Sequence, residues 1–436
     1  MNLRRPMEIR HLSLLCSKGS IQEADPPLTH EIPFIPNAGM RIVHWAPQFG
    51  SETGTGKAIA GWLDALSSRG RDCTVVSPPV TAEFRETCPR IQVRSHRSPF
   101  QRLRILGQEI KTSHIVHLHG AFDLKLCAAH AVIALEKMWR MFTGQPLHIV
   151  MTPHGALADH VFTTRPHLKW LYMNFIERSL AKQTSLAVCN TMTEADTLRK
   201  LIPRSRVEVV PLVVTGEEMA AAATEPAPSG KPPLPPILCT LGRYDIQIKG
   251  LDLLIGAVKK LYEAGYPVRL RCIGYDEGGG TKKLEEYVKS VGAEDLVECA
   301  GPRFGAEKFQ AIAECDVFCM PSRYESFSYA LLEGLASGKP VLVGSGACLT
   351  GFFDPTQKQA MVVEPETAAW ERAIRNTLAN PGANTRCAGQ ALADLRNSCS
   401  PASVGDSLGG YYDSLFDMEF ENLWREGGFV PRADSH

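Results

Sequence analysis

Short apolar segments alternate with helix-like segments along most of this chain, and this alternation is the feature that most constrains its fold. The first run of the pattern starts with the apolar segment Met40-Arg-Ile-Val-His-Trp-Ala and continues to residue 212. A second run starts at Ile237, after a stretch, residues 213–236, that contains six prolines. Apolar strands that alternate with helices form parallel sheets covered on both faces. The sequence therefore predicts an α/β protein with two Rossmann-like domains.

The same pattern sets the expected domain boundaries. We assign residues 40–212 to the first Rossmann-like domain and residues 237–400 to the second. The Pro-rich residues 213–236 have a composition typical of an interdomain linker. Residues 1–39 have no clear periodicity, which predicts a poorly ordered extension. The aromatic residues within 401–436 predict closing helices followed by a tail.

Basic residues are concentrated in the first predicted domain. The chain has 47 basic and 47 acidic residues in total, but residues 40–212 contain 22 basic and 13 acidic residues, a formal charge of +9. Two basic stretches that carry aromatic residues, 97–111 and 165–182, favour helices with one buried and one solvated face. The same positive surface suits contact with an anionic membrane or acceptor. Nucleic acid is not an expected partner.

Cysteine usage and hydropathy indicate a cytoplasmic protein. The 13 cysteines include no Cys-x-x-Cys pair, which favours reduced and buried thiols. No run approaches the roughly 18 apolar residues that a membrane span needs. We therefore expect a soluble protein, with peripheral attachment to the inner membrane face through the basic domain as a further expectation.

Residues 321–343, PSRYESFSYALLEGLASGKPVLV, contain the most informative motif. They predict a loop, a helix and a strand, because Ser326 and Ser328 are suitable N-caps and the later Gly-Lys-Pro suits a helix end. Glu325 would lie in the loop and Glu333 on the helix. Free N–H groups and the dipole at such a helix N-terminus favour phosphate. Two glutamates at this spacing are equally typical of a solvated amphipathic helix.

With its seven intervening residues, the pair Glu325 and Glu333 resembles the paired-glutamate signature of the family 4 retaining glycosyltransferases. Residues 240–252, TLGRYDIQIKGLD, resemble the Gly-Arg loop of that family and the Lys-Gly that follows it. The resemblance spans about residues 40–425. It implies the GT-B fold, in which two Rossmann-like domains face each other across a cleft.

The resemblance also implies a role for each motif residue. Arg243 and Lys249, with Gly242 beside them, would hold the diphosphate of a nucleotide sugar, where fixed cations stabilise the charge of the leaving group. Glu333 would bind the ribose, and Glu325 would bind sugar hydroxyls near the reacting centre. The loop before the helix would complete the donor site through Ser326, Phe327 and Ser328. The family usually has glycine at both serine positions, and glycine permits a closer backbone approach to phosphate.

The Gly-rich loop after the first strand has two interpretations. Through Gly54 and Gly56 it corresponds to the glycine loop of the family, which borders the cleft. The sequence GSETGTGK of residues 50–57 also approaches a nucleotide-binding P-loop. However, Ser51 and Ala58 stand where that motif has its first glycine and its magnesium-binding Ser or Thr.

His154 and two further loops complete the predicted site. His154 ends a predicted strand, where open α/β sheets bind ligands, and the resemblance implies that it approaches the donor sugar as a catalytic residue. His119 is a second candidate of this type. His117 and His119 share one strand face and suggest a metal, but no carboxylate pair accompanies them, so we expect no metal and no cofactor. The resemblance implies that loops containing Gly274 and Arg303 frame the nucleotide base.

The resemblance therefore implies a retaining, metal-independent glycosyltransferase of the hexosyltransferase type. It would move a sugar from a UDP- or GDP-sugar to a hydroxyl of a glycan, lipid-linked or small-molecule acceptor, in cell-surface polysaccharide or glycolipid synthesis. Two alternatives stay open at this level. One is a catalytically silent GT-B scaffold that binds a nucleotide sugar or a partner enzyme, and the other is a sugar-nucleotide epimerase of the same fold.

Overall fold

The computed structural model contains two parallel β-sheets covered by helices, which confirms the predicted α/β class. The structure describes residues 40–50, 54–86, 88–120, 124–156, 183–202, 205–214, 235–325 and 327–426, all of which lie in one compact unit. The predicted extension 1–39, the basic stretch 165–182, most of the linker 213–236 and Ser326 lie outside the described residues.

The first sheet has seven parallel strands in the order β3-β2-β1-β4-β5-β6-β7. These strands are β1 Arg41–Trp45, β2 Asp72–Ser77, β3 Gln92–Ser95, β4 Ile115–His119, β5 His148–Thr152, β6 Leu186–Cys189 and β7 Arg206–Val209. The helices described between them are α1 Gly54–Ser68, α2 Ala82–Glu86, α3 Pro99–Glu109, the 3-10 helix Ile110–Thr112, α4 Leu124–Arg140 and α5 Met192–Leu201.

The second sheet has six parallel strands in the order β10-β9-β8-β11-β12-β13. These are β8 Ile237–Leu241, β9 Arg269–Ile273, β10 Val297–Gly301, β11 Val317–Met320, β12 Val341–Gly344 and β13 Val362–Val363. The helices are α6 Leu251–Glu263, α7 Gly280–Ser290, α8 Gly305–Ala313, α9 Tyr329–Ala336, the 3-10 helix Cys348–Phe352, α10 Pro355–Met361, α11 Thr367–Ala379, α12 Pro381–Ser398 and α13 Pro401–Glu426. None of the helices within the described ranges combines the length and the apolar character that crossing a bilayer requires.

The central strands of the first sheet place three histidines close together. β1 and β4 pair so that His44 lies opposite His117, and β4 and β5 pair so that His119 lies opposite Thr152. Alternate residues of a strand share a face, so His117 and His119 point to the same side of the sheet. All three rings are buried. The core of the first sheet therefore contains a polar cluster close to the carboxyl ends of its strands.

The C-terminal helix α13 packs on the first sheet although it follows the second sheet in sequence. Its buried side chains share one core with helix α1, and they are Val404, Leu408, Tyr412 and Leu415. Burial of each such side chain contributes roughly 1.5–3 kcal/mol. Arg71, whose side chain is 1% exposed, donates two hydrogen bonds of 2.8 and 2.5 Å to the carboxylate of Asp413. An apolar stripe and one buried ion pair therefore attach α13 to the first sheet.

We expect Asp413→Ala to lower the free energy of unfolding by about 3 kcal/mol, because it removes the carboxylate from a buried guanidinium. Asp406→Ala on the same helix is the control. The side chains of Asp406 and its partner Arg69 are 56% and 36% exposed, and pairs that solvent reaches contribute at most about 1 kcal/mol. Urea denaturation of both variants measures the difference, and equal losses would contradict a role for the buried pair in holding α13.

Several elements differ from the sequence predictions. The first helix begins at Gly54, inside the predicted Gly-rich loop, so Gly54 and Gly56 lie in its first turn, and a Cβ at Gly56 would overlap the carbonyl oxygen of Gly50. Strand β3 was not predicted because it lies at the sheet edge and contains one apolar residue. Helix α12 was not predicted because its Gly, Asn and Cys residues obscure its narrow buried face.

Candidate active site

Loops at the carboxyl ends of β8 and β11 bring Lys249 and Glu325 together. Lys249 lies between β8 and α6, and Glu325 lies between β11 and α9. Lys249 Nζ donates a hydrogen bond to Glu325 Oε2, and the two side chains are 19% and 17% exposed. Ser322 Oγ lies 3.5 Å from the same carboxylate oxygen. Two of the predicted catalytic residues therefore form one cation–carboxylate pair that is partly open to solvent.

Gly250 explains why a glycine follows Lys249. Its φ is 64°, in the left-handed region that glycine adopts without steric cost. A Cβ at this position would also overlap the carbonyl oxygen of Pro321, at the end of β11. The Lys-Gly sequence therefore allows the loop after β8 to pack directly against the loop after β11, which brings Lys249 to Glu325.

The loop that contains Glu325 is fixed at both ends. Glu325 N donates to the carbonyl of Gly346 at 3.2 Å, in the loop after β12. Ser328 is the N-cap of α9, and its buried Oγ accepts from Leu331 N at 3.2 Å. Phe327 is half-buried and packs against the cores of both sheets. The serine that replaces the usual glycine therefore caps α9, which begins four residues after Glu325.

Glu333 on α9 pairs with a residue that the sequence prediction did not include. Lys308 Nζ of α8 donates to Glu333 Oε1 at 2.5 Å, and the side chains are 21% and 20% exposed. The predicted partner of Glu333, a ribose, carries no charge, so Lys308 balances the charge of this carboxylate. No local pattern in α8 distinguishes Lys308 from an ordinary surface lysine.

The other predicted diphosphate residues surround one recess. Arg243 follows β8 and donates to Glu277 Oε2 at 2.8 Å, in the loop after β9. In that second loop, Gly274 lies directly against the carbonyl oxygen of Gly242. The recess between the loops is lined by Arg243 and Lys249 and by residues of β8, β9 and β11. Both predicted cations therefore border the same recess.

Arg303 lines a different hollow. Its side chain is exposed and donates to its neighbour, the carbonyl of Pro302, at 3.0 Å. Glu298, Glu307 and Glu314 border the same hollow. The predicted contact of Arg303 with the nucleotide base stays a prediction.

On the first sheet, the turn after β5 places His154 at the end of a series of hydrogen-bonded imidazoles. His154 Nε2 lies 2.9 Å from His119 Nδ1, and His119 Nε2 lies 3.0 Å from His44 Nδ1. His154 Nδ1 lies 3.0 Å from Asn190 Oδ1. Both ring nitrogens of His154 are therefore engaged within the first sheet, so a hydrogen bond from this ring to a donor sugar would require one of these bonds to break.

The backbone at His154 is strained. Its φ of 52° makes it the one non-glycine residue with positive φ within the described ranges. This conformation costs roughly 1–2 kcal/mol for a residue with a Cβ. The two hydrogen bonds of the ring offset that cost, so the turn depends on the partners of His154.

Glu194 also stabilises this turn, and the sequence prediction did not include it. Its carboxylate accepts hydrogen bonds from Gly155 N at 2.5 Å and from Asn190 N at 2.9 Å. Burial raises the pKa of Glu194, while these backbone N–H groups act in the opposite direction. Thr191, three residues earlier, caps α5, so the pair has the spacing of a capping box. That spacing is a signal by which Glu194 could have been found.

Three histidines lie close enough together for a metal site. One ring nitrogen from each of His44, His117 and His119 lies within 4.8 Å of the others, the one such group found in the described part of the chain. However, His117 has partners at both nitrogens, Tyr412 OH at 2.6 Å and Thr152 Oγ1 at 2.8 Å. A metal ion would have to displace these partners and to break the hydrogen bonds of His119 with His44 and His154. The arrangement is that of a hydrogen-bonded network.

We expect the buried histidines to make stability depend on pH. Burial lowers the pKa of His44 to about 3, and it lowers the pKa of His154 to about 4 although the hydrogen bond to Asn190 acts to raise it. The unfolded chain, with histidine pKa values of about 6.5, binds protons below that pH that the folded chain does not. Stability is therefore full above about pH 6.5 and falls as the pH decreases. Each such histidine should cost up to about 2 kcal/mol between pH 6.5 and pH 5.

Guanidinium denaturation across this pH range measures the effect. His130→Leu on α4 is a suitable comparison, because burial lowers the pKa of this histidine to about 4 and the residue lies outside the imidazole series. It removes one titrating group, so the loss of stability should be smaller by up to about 2 kcal/mol. A free energy of unfolding that stays constant from pH 6.5 to pH 5 is incompatible with buried neutral histidines.

Two family models match the chain, one for each sheet. The model described as "Glycosyltransferase Family 4" matches residues 53–215, which include the strands β2 to β7. The model described as "Glycosyl transferases group 1" matches residues 222–393, which include Lys249, Glu325 and Glu333. The predicted site residues of the first sheet and those of the second sheet therefore both lie within matched regions.

Individual relatives match at moderate identity. The chain is 26% identical over 254 residues to the D-inositol 3-phosphate glycosyltransferase of Stackebrandtia nassauensis, covering 55% of this chain and 56% of that protein. It is 26% identical over 369 residues to the lipopolysaccharide core biosynthesis glycosyltransferase LpsE of Rhizobium meliloti, covering 84% and 97%. The chain spans about half the length of the first curated relatives it matches.

A solved structure shares the fold. Anabaena HepE in complex with UDP and glucose superposes with a TM-score of 0.61 and 16% identity, covering 86% of this chain and all of that one. At this identity the likeness concerns the fold alone. The superposed region covers 86% of this chain, which is more than either sheet occupies with its helices, so the likeness extends over both sheets.

Proposed function

Because the chain belongs to family 4 of the glycosyltransferases and has the GT-B fold, we propose that it is a retaining hexosyltransferase that uses a nucleotide sugar and no metal. The donor is a UDP- or GDP-sugar, and UDP in the HepE structure supports the former. The acceptor is a hydroxyl of a glycan, a lipid-linked sugar or a small molecule. The name of the LpsE relative supports a role in cell-surface polysaccharide or glycolipid synthesis.

The observation that carries this proposal is the Lys249–Glu325 pair at the carboxyl edge of the second sheet. Open parallel sheets bind ligands at this edge. The pair places a fixed cation next to a carboxylate, and Arg243 borders the same recess. A nucleotide sugar presents a dianionic diphosphate next to a sugar with several hydroxyl groups. Two cations for the diphosphate and one carboxylate for the hydroxyls match these two parts of the donor.

In the proposed reaction, the bond between the sugar and the diphosphate breaks and negative charge accumulates on the leaving phosphate. Lys249 and Arg243 stabilise this charge, and the N–H groups in the first turn of α9 add to it. Glu325 binds hydroxyls of the transferred sugar, while Glu333 binds the ribose of the departing nucleotide. The acceptor hydroxyl attacks from the face that the phosphate leaves, and its proton passes to that phosphate, so the reaction needs no protein base.

The ion pair also prepares the site before the donor binds. The hydrogen bond to Glu325 holds the side chain of Lys249 in one position. The close packing of Gly250 against Pro321 fixes the backbone next to Lys249. Charged groups that are already in place need little reorganisation when charge develops in the transition state. The pair is therefore part of the proposed mechanism as well as of the local fold.

Membrane contact is a separate part of the proposal. In the basic stretch 97–111, Leu106 and Ile110 are buried against strands of the first sheet, whereas Phe100 is 83% exposed. This stretch therefore has one buried and one solvated face, and its basic residues supply the positive charge. We propose that this face approaches the anionic surface from which a lipid-linked acceptor would come.

A panel of nucleotide sugars, with and without candidate acceptors, tests the proposed activity. The release of nucleoside diphosphate should require both one particular donor and an acceptor. A silent scaffold would bind donors without release, and an epimerase would change the sugar without release. Either result would overturn the proposed transfer reaction.

A further inference from the structure

The amide of Asn190 sets the direction of the hydrogen bonds in the imidazole series. Asn190 Nδ2 donates to the carbonyl oxygen of Val210 at 3.4 Å, in the buried core. A carbonyl oxygen can only accept, so the amide oxygen Oδ1 must face the other way, towards His154 Nδ1. Because Oδ1 can only accept as well, His154 must carry a proton on Nδ1.

The proton position on His154 determines which nitrogen donates in each hydrogen bond between the next rings. A neutral imidazole with its proton on Nδ1 has a lone pair on Nε2, so His154 Nε2 accepts from His119 Nδ1. By the same step, His119 Nε2 accepts from His44 Nδ1. The series ends at His44 Nε2, which is buried and has no hydrogen-bond partner. Asn190 therefore determines the tautomer of three histidines.

The opposite direction fits the structure less well. It would place Asn190 Oδ1 against the carbonyl oxygen of Val210, where two acceptors repel. It would also leave an N–H donor of His44 buried without an acceptor, and orphaned N–H groups are rarer in protein interiors than orphaned acceptors. The three rings therefore carry their protons on the Nδ1 atoms.

Packing restricts the same rings. His117 stacks on His119 with 4.3 Å between ring centroids, and Tyr412 and Thr152 hold its two nitrogens. The ring of Trp62 lies 5.8 Å from that of His154. Rotation of His154 towards solvent would therefore break two hydrogen bonds and remove a packed aromatic contact.

We propose that Asn190 and His119 are positioning residues that lock His154 as the neutral Nδ1–H tautomer with its ring turned into the first sheet. The polar groups that this turn offers to a ligand are then the backbone groups of residues 153–156, and the imidazole serves as their anchor. The left-handed backbone of His154 and the contact from Glu194 to Gly155 N place these backbone groups. The catalytic consequence rests on the proposed function, whereas the tautomer does not.

Nitrogen NMR of ¹⁵N-histidine-labelled protein tests the tautomer directly, with His154→Gln used to assign the His154 signals. We expect His154 to be neutral at pH 7, with its proton on Nδ1, and to stay so when UDP is added. A proton on Nε2, an imidazolium, or a change of tautomer on addition of UDP would overturn the proposal.

Two variants of Asn190 separate positioning from simple structural support. Asn190→Leu removes the acceptor, so His154 should lose its fixed Nδ1–H state. Asn190→Asp keeps an acceptor for Nδ1, which should stay protonated, although the second carboxylate oxygen replaces the donor to Val210 and lowers stability. If transfer activity exists, kcat/KM should fall roughly 10- to 100-fold in Asn190→Leu and recover in part in Asn190→Asp, with unchanged UDP affinity. An unchanged tautomer in Asn190→Leu would refute the proposal, whether or not the protein transfers sugar.

Discussion

Lys249→Met is expected to lower kcat by about 100- to 1000-fold and to leave the fold intact. The methionine keeps most of the length of the side chain but removes the cation that would face the leaving phosphate. Preorganised groups that stabilise charge in the transition state typically contribute this much to the rate. Donor KM should change far less, because Arg243 borders the same recess and still attracts the diphosphate.

Steady-state kinetics of the purified variant with the selected donor and acceptor measure this effect. Lys260→Met is a matched control, since Lys260 is exposed at the far end of the same helix, α6. It should retain the activity of the natural protein. An active Lys249→Met, or equal losses in the two variants, would contradict the assignment of Lys249 to the donor site.

Glu333→Ala is expected to raise donor KM by roughly 10- to 100-fold with a much smaller change in kcat. The proposed contact of Glu333 is with the ribose, which is remote from the breaking bond and is bound similarly before and during the reaction. Loss of charge-assisted hydrogen bonds of this kind costs about 1.5–3 kcal/mol. An interaction that is equally strong in the enzyme–substrate complex and in the transition state affects KM rather than kcat.

The Lys308 pairing makes this prediction more specific. Glu333→Ala leaves the Lys308 ammonium without its carboxylate, so the double variant Glu333→Ala/Lys308→Met distinguishes a charge effect from the loss of ribose contacts. The high donor KM should persist in the double variant. If Lys308→Met restored normal KM, Glu333 would act by neutralising Lys308 rather than by binding ribose.

Most of the fold was predictable because it depends on local apolar patterns. Strands such as Ile237–Leu241 and Val317–Met320 were predictable, since apolar runs between polar turns are the usual signal of buried parallel strands. The edge strand β3 has no such run. Helix α13 was expected as a closing helix, but its attachment through Arg71 and Asp413 joins residues 342 positions apart, and no local pattern reports such a contact.

The candidate site was predictable to a smaller extent. Short motifs selected Arg243, Lys249, Glu325 and Glu333 as candidates, and the structure brings Lys249 to Glu325. The partners Lys308 and Glu277 are ordinary charged residues in sequence, so their roles depend on tertiary distance alone. The role of Ser328 as a helix cap followed from its residue type and position.

The orientation of the His154 ring could not be predicted from the sequence. Its place at a strand end before a glycine indicated a functional residue, but the direction of its ring depends on His119, His44 and Asn190. These residues come from three other segments of the chain, and their hydrogen bonds become visible only in three dimensions. The contact with the sugar that the resemblance implies stays a prediction, and the anchor role that we propose depends on these three-dimensional contacts.

The most direct test of the proposed site is a single-turnover experiment with radiolabelled donor, in which the natural protein and Glu325→Gln are compared at saturating donor and acceptor. Glutamine keeps the shape of Glu325 but removes its charge, so it loses both the pairing with Lys249 and the strong contact with sugar hydroxyls. We predict labelled product from the natural protein and a rate at least about 100-fold lower from Glu325→Gln, with nearly equal binding of the nucleoside diphosphate. Transfer at the natural rate by a folded Glu325→Gln protein would contradict the central claim that this pair forms the active site.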